Sequence, residues 1–208
     1  MEWYQWFAIA ALILCSLGLI LHFAKILKLG NPKDFSTPAG NPVDGIKYSM
    51  TGAMSPKKKE SAFLHLPTYT AGLIYHMGTF LSLGLFVLVL FGVNIRGVFS
   101  MIIPILLVIT CLCGLGILVK RMFSKNLKAF TNADDYIANF LVSSFHIITA
   151  YMIYTNSLHN VYFMLAGLLL LYIPISKLKH TLFFFAARYH LGFFYGRRNI
   201  WPPKKASN

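Results

Sequence analysis

The chain has 208 residues, of which 57% are hydrophobic and only 12% charged. A soluble domain carries about 25% charged residues, so the polar surface here is too small to cover the apolar residues, and disorder, which needs low hydrophobicity, is excluded too. The net charge of +13 would suit nucleic acid in a soluble protein, but in a membrane protein its distribution along the chain is read first.

Five apolar stretches follow one another, at about 3–26, 69–93, 98–119, 136–154 and 161–187. Each reaches the ~18–20 apolar residues that a helix needs to cross the hydrocarbon core. A barrel would instead show short alternating segments. The expected fold is an all-α membrane protein of five transmembrane helices, making a single domain over 1–208. The first stretch lacks a basic n-region, carries Glu2 ahead of the apolar run and has no clear cleavage site. It reads as a retained helix that begins in an aromatic belt of Trp3, Tyr4 and Trp6.

The basic residues then set an orientation. Seven lie from the end of the first span to residue 59: Lys25, Lys28, Lys33, Lys47, Lys57, Lys58 and Lys59. Four follow the third span: Lys120, Arg121, Lys125 and Lys128. Seven lie in the last turns of the fifth stretch or beyond it: Lys177, Lys179, Arg188, Arg197, Arg198, Lys204 and Lys205. Only Arg96 falls on the other side. The positive-inside rule puts the N-terminus outside and the C-terminus in the cytoplasm, as expected of a multi-pass protein of the cytoplasmic membrane. The charge is thus a topology signal, and no nucleic-acid partner is called for.

The short connections 94–97 and 155–160 are outer turns. The cytoplasmic segment 28–67 is too long for a simple helix connection and holds the turn formers Asn31-Pro32, Pro38-Ala39-Gly40-Asn41-Pro42 and Ser55-Pro56. Two readings of it weigh evenly: a flexible loop held near anionic lipid, or a docking surface for a soluble partner. In the tail, 188–208, the segment Arg197-Arg198-Asn199-Ile200-Trp201-Pro202-Pro203 is a second candidate docking surface. Cys15, Cys111 and Cys113 all lie in apolar stretches and read as small buried hydrophobes. No disulfide framework, zinc spacing or iron–sulfur cysteine cluster is present in the sequence.

The spans carry almost no Asp, Glu, Lys or Arg; their ionisable residues are mostly histidines, and such residues in a membrane are usually functional. His76 lies about two turns into the second span, and His180 lies in the last two turns of the fifth. At about 1.5 Å rise per residue, each sits roughly 10 Å inside the cytoplasmic boundary. Two imidazoles on different helices at one depth can take opposite faces of one iron, as in bis-His b-type haem. Zinc or a proton relay fits the same pair, though the scarcity of carboxylates weakens both. Gly72, Gly78 and Gly84 recur along the second span, either to admit a flat macrocycle or to pack helices. His146 lies mid-membrane, with Asn139 and Ser143 on the same helix face. These three could ligate a second haem, contact quinone or bond to a neighbouring helix, and interhelical bonding is the favoured reading. His65 and His159 sit at span edges, and His22 and His190 read as structural.

Three segments resemble the haem b gamma subunit of respiratory nitrate reductase and related membrane subunits of sulfite-reductase-associated and heterodisulfide-reductase-like complexes. They are Tyr75-His76-Met77-Gly78, the basic-to-acidic connection from Lys120-Arg121 to Asp134-Asp135, and Pro174-Ile175-Ser176-Lys177-Leu178-Lys179-His180. The last is the most specific. The resemblance covers the second to fifth spans. It implies that His76 and His180 are the axial ligands of a cytoplasm-proximal haem b. The family's distal-haem ligands correspond to Phe86 and Tyr162, neither of which replaces imidazole, so that distal haem is expected to be missing. A second haem ligated through His146 or His159 is left open.

The resemblance implies an electron-transfer subunit that exchanges electrons with the quinone pool and with a cytoplasmic iron–sulfur partner. Such a chain is the quinone-reactive part of an oxidoreductase complex and is not catalytic alone. The competing readings are a cofactor-free membrane anchor and, less favoured, a transporter.

Overall fold

The computed structural model describes residues 1–30, 34–55 and 64–203. Among these residues there is no strand. The helices are α1 (Trp3–Lys28), α2 (Pro42–Met50), α3 (Leu66–Leu90), α4 (Phe99–Phe123), α5 (Ala133–Thr155), α6 (His159–Tyr172) and α7 (His180–Arg197). α1, α3, α4 and α5 are each long and apolar enough to cross a membrane, and their ends fall within about one turn of the expected spans. The protein is a multi-pass membrane protein.

The fifth stretch departs from expectation: 161–187 is not one helix. α6 ends at Tyr172, and α7 begins at His180 after a single turn of 3-10 helix, Lys177–Lys179. Pro174 is the cause. It offers no N–H, and its ring clashes with the carbonyl four residues back. α7 runs on to Arg197, so the first part of the expected tail, 188–197, is helical.

Residue contacts divide the chain into two compact units, Met1–Leu19 with Pro67–Leu178 and Ile20–Leu66 with Lys179–Asn208. In the first unit α3 and α4 are apolar all round, and Leu73, Met77, Phe80, Ile105 and Leu112 stay exposed, as lipid-facing residues do. α5 is the central helix. Half of its apolar window is buried, against 17–28% for α1, α3 and α4. It packs on α4 and on α6. Two glycines permit close approach here. A Cβ on Gly78 would overlap the Thr110 side chain, and one on Gly114 would overlap Tyr75. Gly72 and Gly84, by contrast, meet nothing within 4 Å, so of the three recurring glycines only Gly78 packs helices.

The break after α6 is built from polar groups of this unit. The Lys177 N–H donates to Asp134 Oδ2 at 2.7 Å, and the Tyr172 hydroxyl donates to Asp134 Oδ1. The Leu178 N–H donates to Ser176 Oγ at 3.1 Å. The backbone donors freed by the break are thereby satisfied. Gly18 leaves room for the proline ring, since a Cβ there would lie 2.8 Å from Pro174 Cβ. Asp135 closes a capping box with Asn132 at the start of α5. It also pairs with Arg121 at 3.1 Å and with Lys177 at 2.7 Å.

The second unit is built on the pairing of α2 with α7. Asn41 caps α2, accepting the Val43 N–H at 2.9 Å, and Pro42 takes the first helical position. Gly45 of α2 meets Gly192 and Gly196 of α7 backbone to backbone, a small-xxx-small contact. Ser49 Oγ donates to the Arg188 carbonyl at 2.7 Å, and the Arg188 guanidinium donates to the Ser49 carbonyl. The flexible-loop reading of 28–67 therefore fails for residues 34–55: Asn41-Pro42 starts a helix, and glycines give it a partner. Asn31-Pro32, Pro56, Lys33, Lys57, Lys58, Lys59, Lys204 and Lys205 lie outside the described residues.

Asp34 fastens residues 34–40 to the end of α7. Its carboxylate accepts the Ser36 hydroxyl at 2.7 Å and the Ser36 N–H at 3.1 Å, and it pairs with Arg198 at 2.8 Å. The Ala39 and Gly40 N–H groups donate to the Arg197 carbonyl at 2.9 and 3.0 Å. The Ser36 hydrogen bonds, helped by Arg198, hold the Asp34 carboxyl down at about 2, below the ordinary aspartate value near ~3.9. With the folded value depressed, the contribution of Asp34 to stability is complete above about pH 4 and is lost as pH falls toward 2. Hydrogen exchange at Ala39 and Gly40, corrected for intrinsic rate, is expected to show less protection at pH 2.5 than at pH 5. Asp34→Asn is expected to lower the protection already at pH 5.

Candidate functional site

His76 is exposed on α3, in the first unit. Its Nδ1 lies 2.6 Å from the Gly72 carbonyl oxygen, one turn back. A carbonyl only accepts, so Nδ1 carries the hydrogen of this bond. Metal-ligating histidines have this arrangement, with the second nitrogen donating to a carbonyl or carboxylate. His180 is the first residue of α7, in the second unit, and is also exposed. The depth expected for His180 requires an unbroken fifth helix, and the break at Pro174 removes that premise. The sequence motif around His180 does not depend on it.

His146 is wholly buried on α5. Its Nε2 lies 3.2 Å from Thr79 Oγ1 of α3, and its Nδ1 lies 3.2 Å from Thr110 Oγ1 of α4. The Tyr75 ring stands edge-on at 5.2 Å between centroids. Asn139 and Ser143 are engaged in the same way. Asn139 Nδ2 donates to the Gly114 carbonyl at 3.1 Å, and Ser143 Oγ donates to Asn139 Oδ1 at 3.2 Å. The Tyr75 hydroxyl lies 3.1 Å from Ser143 Oγ and donates to the Asn139 carbonyl at 3.0 Å. All three α5 side chains thus tie α5 to α3 and α4. Thr79 and Thr110 are not marked by the sequence, and Tyr75 is marked there only as part of the segment around His76. The spacing of Tyr75 and Thr79, one turn apart beside His76, was the available signal.

Phe86 and Tyr162, which the resemblance sets against the family's distal-haem ligands, lie together in the first unit. Both are fully buried, with ring centroids 6.4 Å apart. Phe163 stands 6.1 Å from Phe86, and Phe145 stacks on Tyr162 at 5.7 Å. This part of the first unit is closed by interlocked rings.

The remaining histidines are dispersed. His65 is exposed just ahead of α3, and His159 is half-buried at the start of α6. In the second unit His22 stands edge-on to Phe183 at 6.1 Å, and His190 lies beside Tyr189. Among the described residues no three His, Cys, Asp or Glu side chains converge as a metal site would require. Comparison of the chain with protein-family models, curated proteins and solved structures finds no match.

Proposed function

We propose that this chain is a membrane electron-transfer subunit that binds haem b through His76 and His180 and relays electrons between the quinone pool and a cytoplasmic iron–sulfur partner. The observation that carries the reading is the state of His76. Its imidazole is exposed, and its Nδ1–H is anchored on a backbone carbonyl of its own helix, as the second nitrogen of a ligating histidine is. Two features support the reading: both imidazoles are exposed, and each lies within a motif that resembles the haem b family. Bound there, the haem supplies one-electron transfer at an iron whose potential the apolar surroundings tune. The Gly72 carbonyl orients the His76 ring, and Asp134 holds the 173–177 break within the first unit. Phe86 and Tyr162 fill their part of the bundle, which supports a single haem of this type. Orientation follows the charges, with the N-terminus outside the cytoplasmic membrane and the basic segments facing the partner.

The test is a reduced-minus-oxidised visible spectrum of the purified chain, with haem quantified per chain. About one haem with a b-type alpha band is expected. His76→Ala and His180→Ala each remove the band, while His146→Leu keeps it. A colourless but fully folded protein sinks the reading. Unchanged activity of the complex in both alanine variants would leave the cofactor-free anchor.

A further inference from the structure

The end of the first unit that carries the last turn of α3 and α5 and the first turn of α4 and α6 holds a cleft of about 280 Å³. Asn94, Arg96, Tyr154 and Asn156 line it with polar groups, and Ile95 and the buried Ile153 give it an apolar wall. A smaller adjoining hollow shares Ile153 and Asn156 and continues between Val89 and Met152 to His159. The backbone shapes it. Gly97 and Asn156 both hold left-handed φ, +67° and +51°, conformations that Gly and Asn tolerate best.

The electrostatics of the cleft are one-sided. Among the described residues no acidic side chain pairs with Arg96, and no carboxylate lines the cleft or the hollow. The guanidinium, both amides and the phenol all offer hydrogens. A concentration of donors around one uncompensated cation suits an oxyanion, which arginine takes in a two-pronged grip. The apolar wall behind them, at the ends of helices long enough to cross a membrane, suits a ligand with a hydrocarbon part.

We propose that this cleft binds the phosphodiester headgroup of a membrane phospholipid, with Arg96 on the phosphate and the first acyl carbons along Ile95 and Ile153. The inference is independent of the haem reading, because it uses no histidine ligand and no redox step.

Native mass spectrometry of the full chain in neutral detergent tests it with three ligands: phosphatidylglycerol, diacylglycerol with the same tails, and inorganic phosphate. Phosphatidylglycerol is expected to bind about tenfold or more tightly than diacylglycerol, the equivalent of one charge-assisted hydrogen bond, and inorganic phosphate weakly. Arg96→Gln is expected to remove the preference for phosphatidylglycerol, and Arg96→Lys to keep most of it. Arg96 is exposed, so neither change disturbs packing. Diacylglycerol binding as tightly as phosphatidylglycerol would make the cleft merely apolar and overturn the proposal. Inorganic phosphate binding as tightly as the lipid would assign a free anion and overturn the lipid source. A preference that survives Arg96→Gln would overturn the assignment of Arg96.

Discussion

Gly45→Val is expected to dismantle the pairing of α2 with α7. A Cβ at Gly45 would overlap the Gly192 carbonyl oxygen and the Gly196 Cα, and backbone atoms cannot turn aside as a flexible side chain can. The helices must separate instead. Separation also stretches the Ser49 hydrogen bond to the Arg188 carbonyl and the edge-on contact of Tyr48 with Trp201, 5.6 Å between centroids. Overpacking a tight contact costs about 1–3 kcal/mol, and a β-branched residue against a backbone belongs at the upper end. Limited proteolysis within residues 34–55 reads the effect, which should appear as faster cleavage and lost exchange protection in α2. Gly84→Ala is the control. It meets nothing within 4 Å, and alanine gains about 1 kcal/mol of helix propensity over glycine, so stability should hold or rise. Equal behaviour of the two variants would mean that the α2–α7 contact is not tight.

The reach of the sequence differs between these features for physical reasons. Four spans were legible because about twenty apolar residues in a row have few alternatives to a membrane helix. The break in the fifth was visible only as Pro174, and a proline inside a transmembrane helix is tolerated when neighbours satisfy the freed groups. Those neighbours, Asp134 and Ser176, are brought into place by folding. Asp134-Asp135 was read only as the acidic start of a helix, and its bonds to Tyr172 and Lys177 span about forty residues of chain. Likewise Asn41-Pro42 is a helix-start signature, but it looked like one turn among several until Gly45 found Gly192 and Gly196. For His146 the shared face with Asn139 and Ser143 was readable from helical spacing. The identity of its partners was not, because Thr79 and Thr110 lie on other helices and a threonine in an apolar run carries no address.

The hydrogens around His146 lead to a prediction of non-additive stability. Thr79 Oγ1 donates to the Tyr75 carbonyl at 2.9 Å, and Thr110 Oγ1 donates to the Leu107 carbonyl at 2.8 Å. Each hydroxyl has one hydrogen, and a neutral imidazole has one N–H and one lone pair. One threonine can therefore accept from the ring while it keeps its backbone bond, and the other must turn its hydrogen from the carbonyl to the ring. Removing the ring and removing the threonines are then not equivalent. In His146→Leu both hydroxyls fall back on their own carbonyls and nothing buried is orphaned, so only the interhelical bonds are lost, at about 0.6 kcal/mol each in a bilayer. In Thr79→Val/Thr110→Val the imidazole stays fully buried with neither nitrogen paired, and each orphaned polar group costs about 1–3 kcal/mol. The double valine variant is thus expected to be the least stable, and adding His146→Leu to it should restore stability. A denaturant titration of the four proteins in one detergent measures this as a cycle. If the triple variant is no more stable than the double, the two threonines do not hold the ring, and His146 is bonded elsewhere.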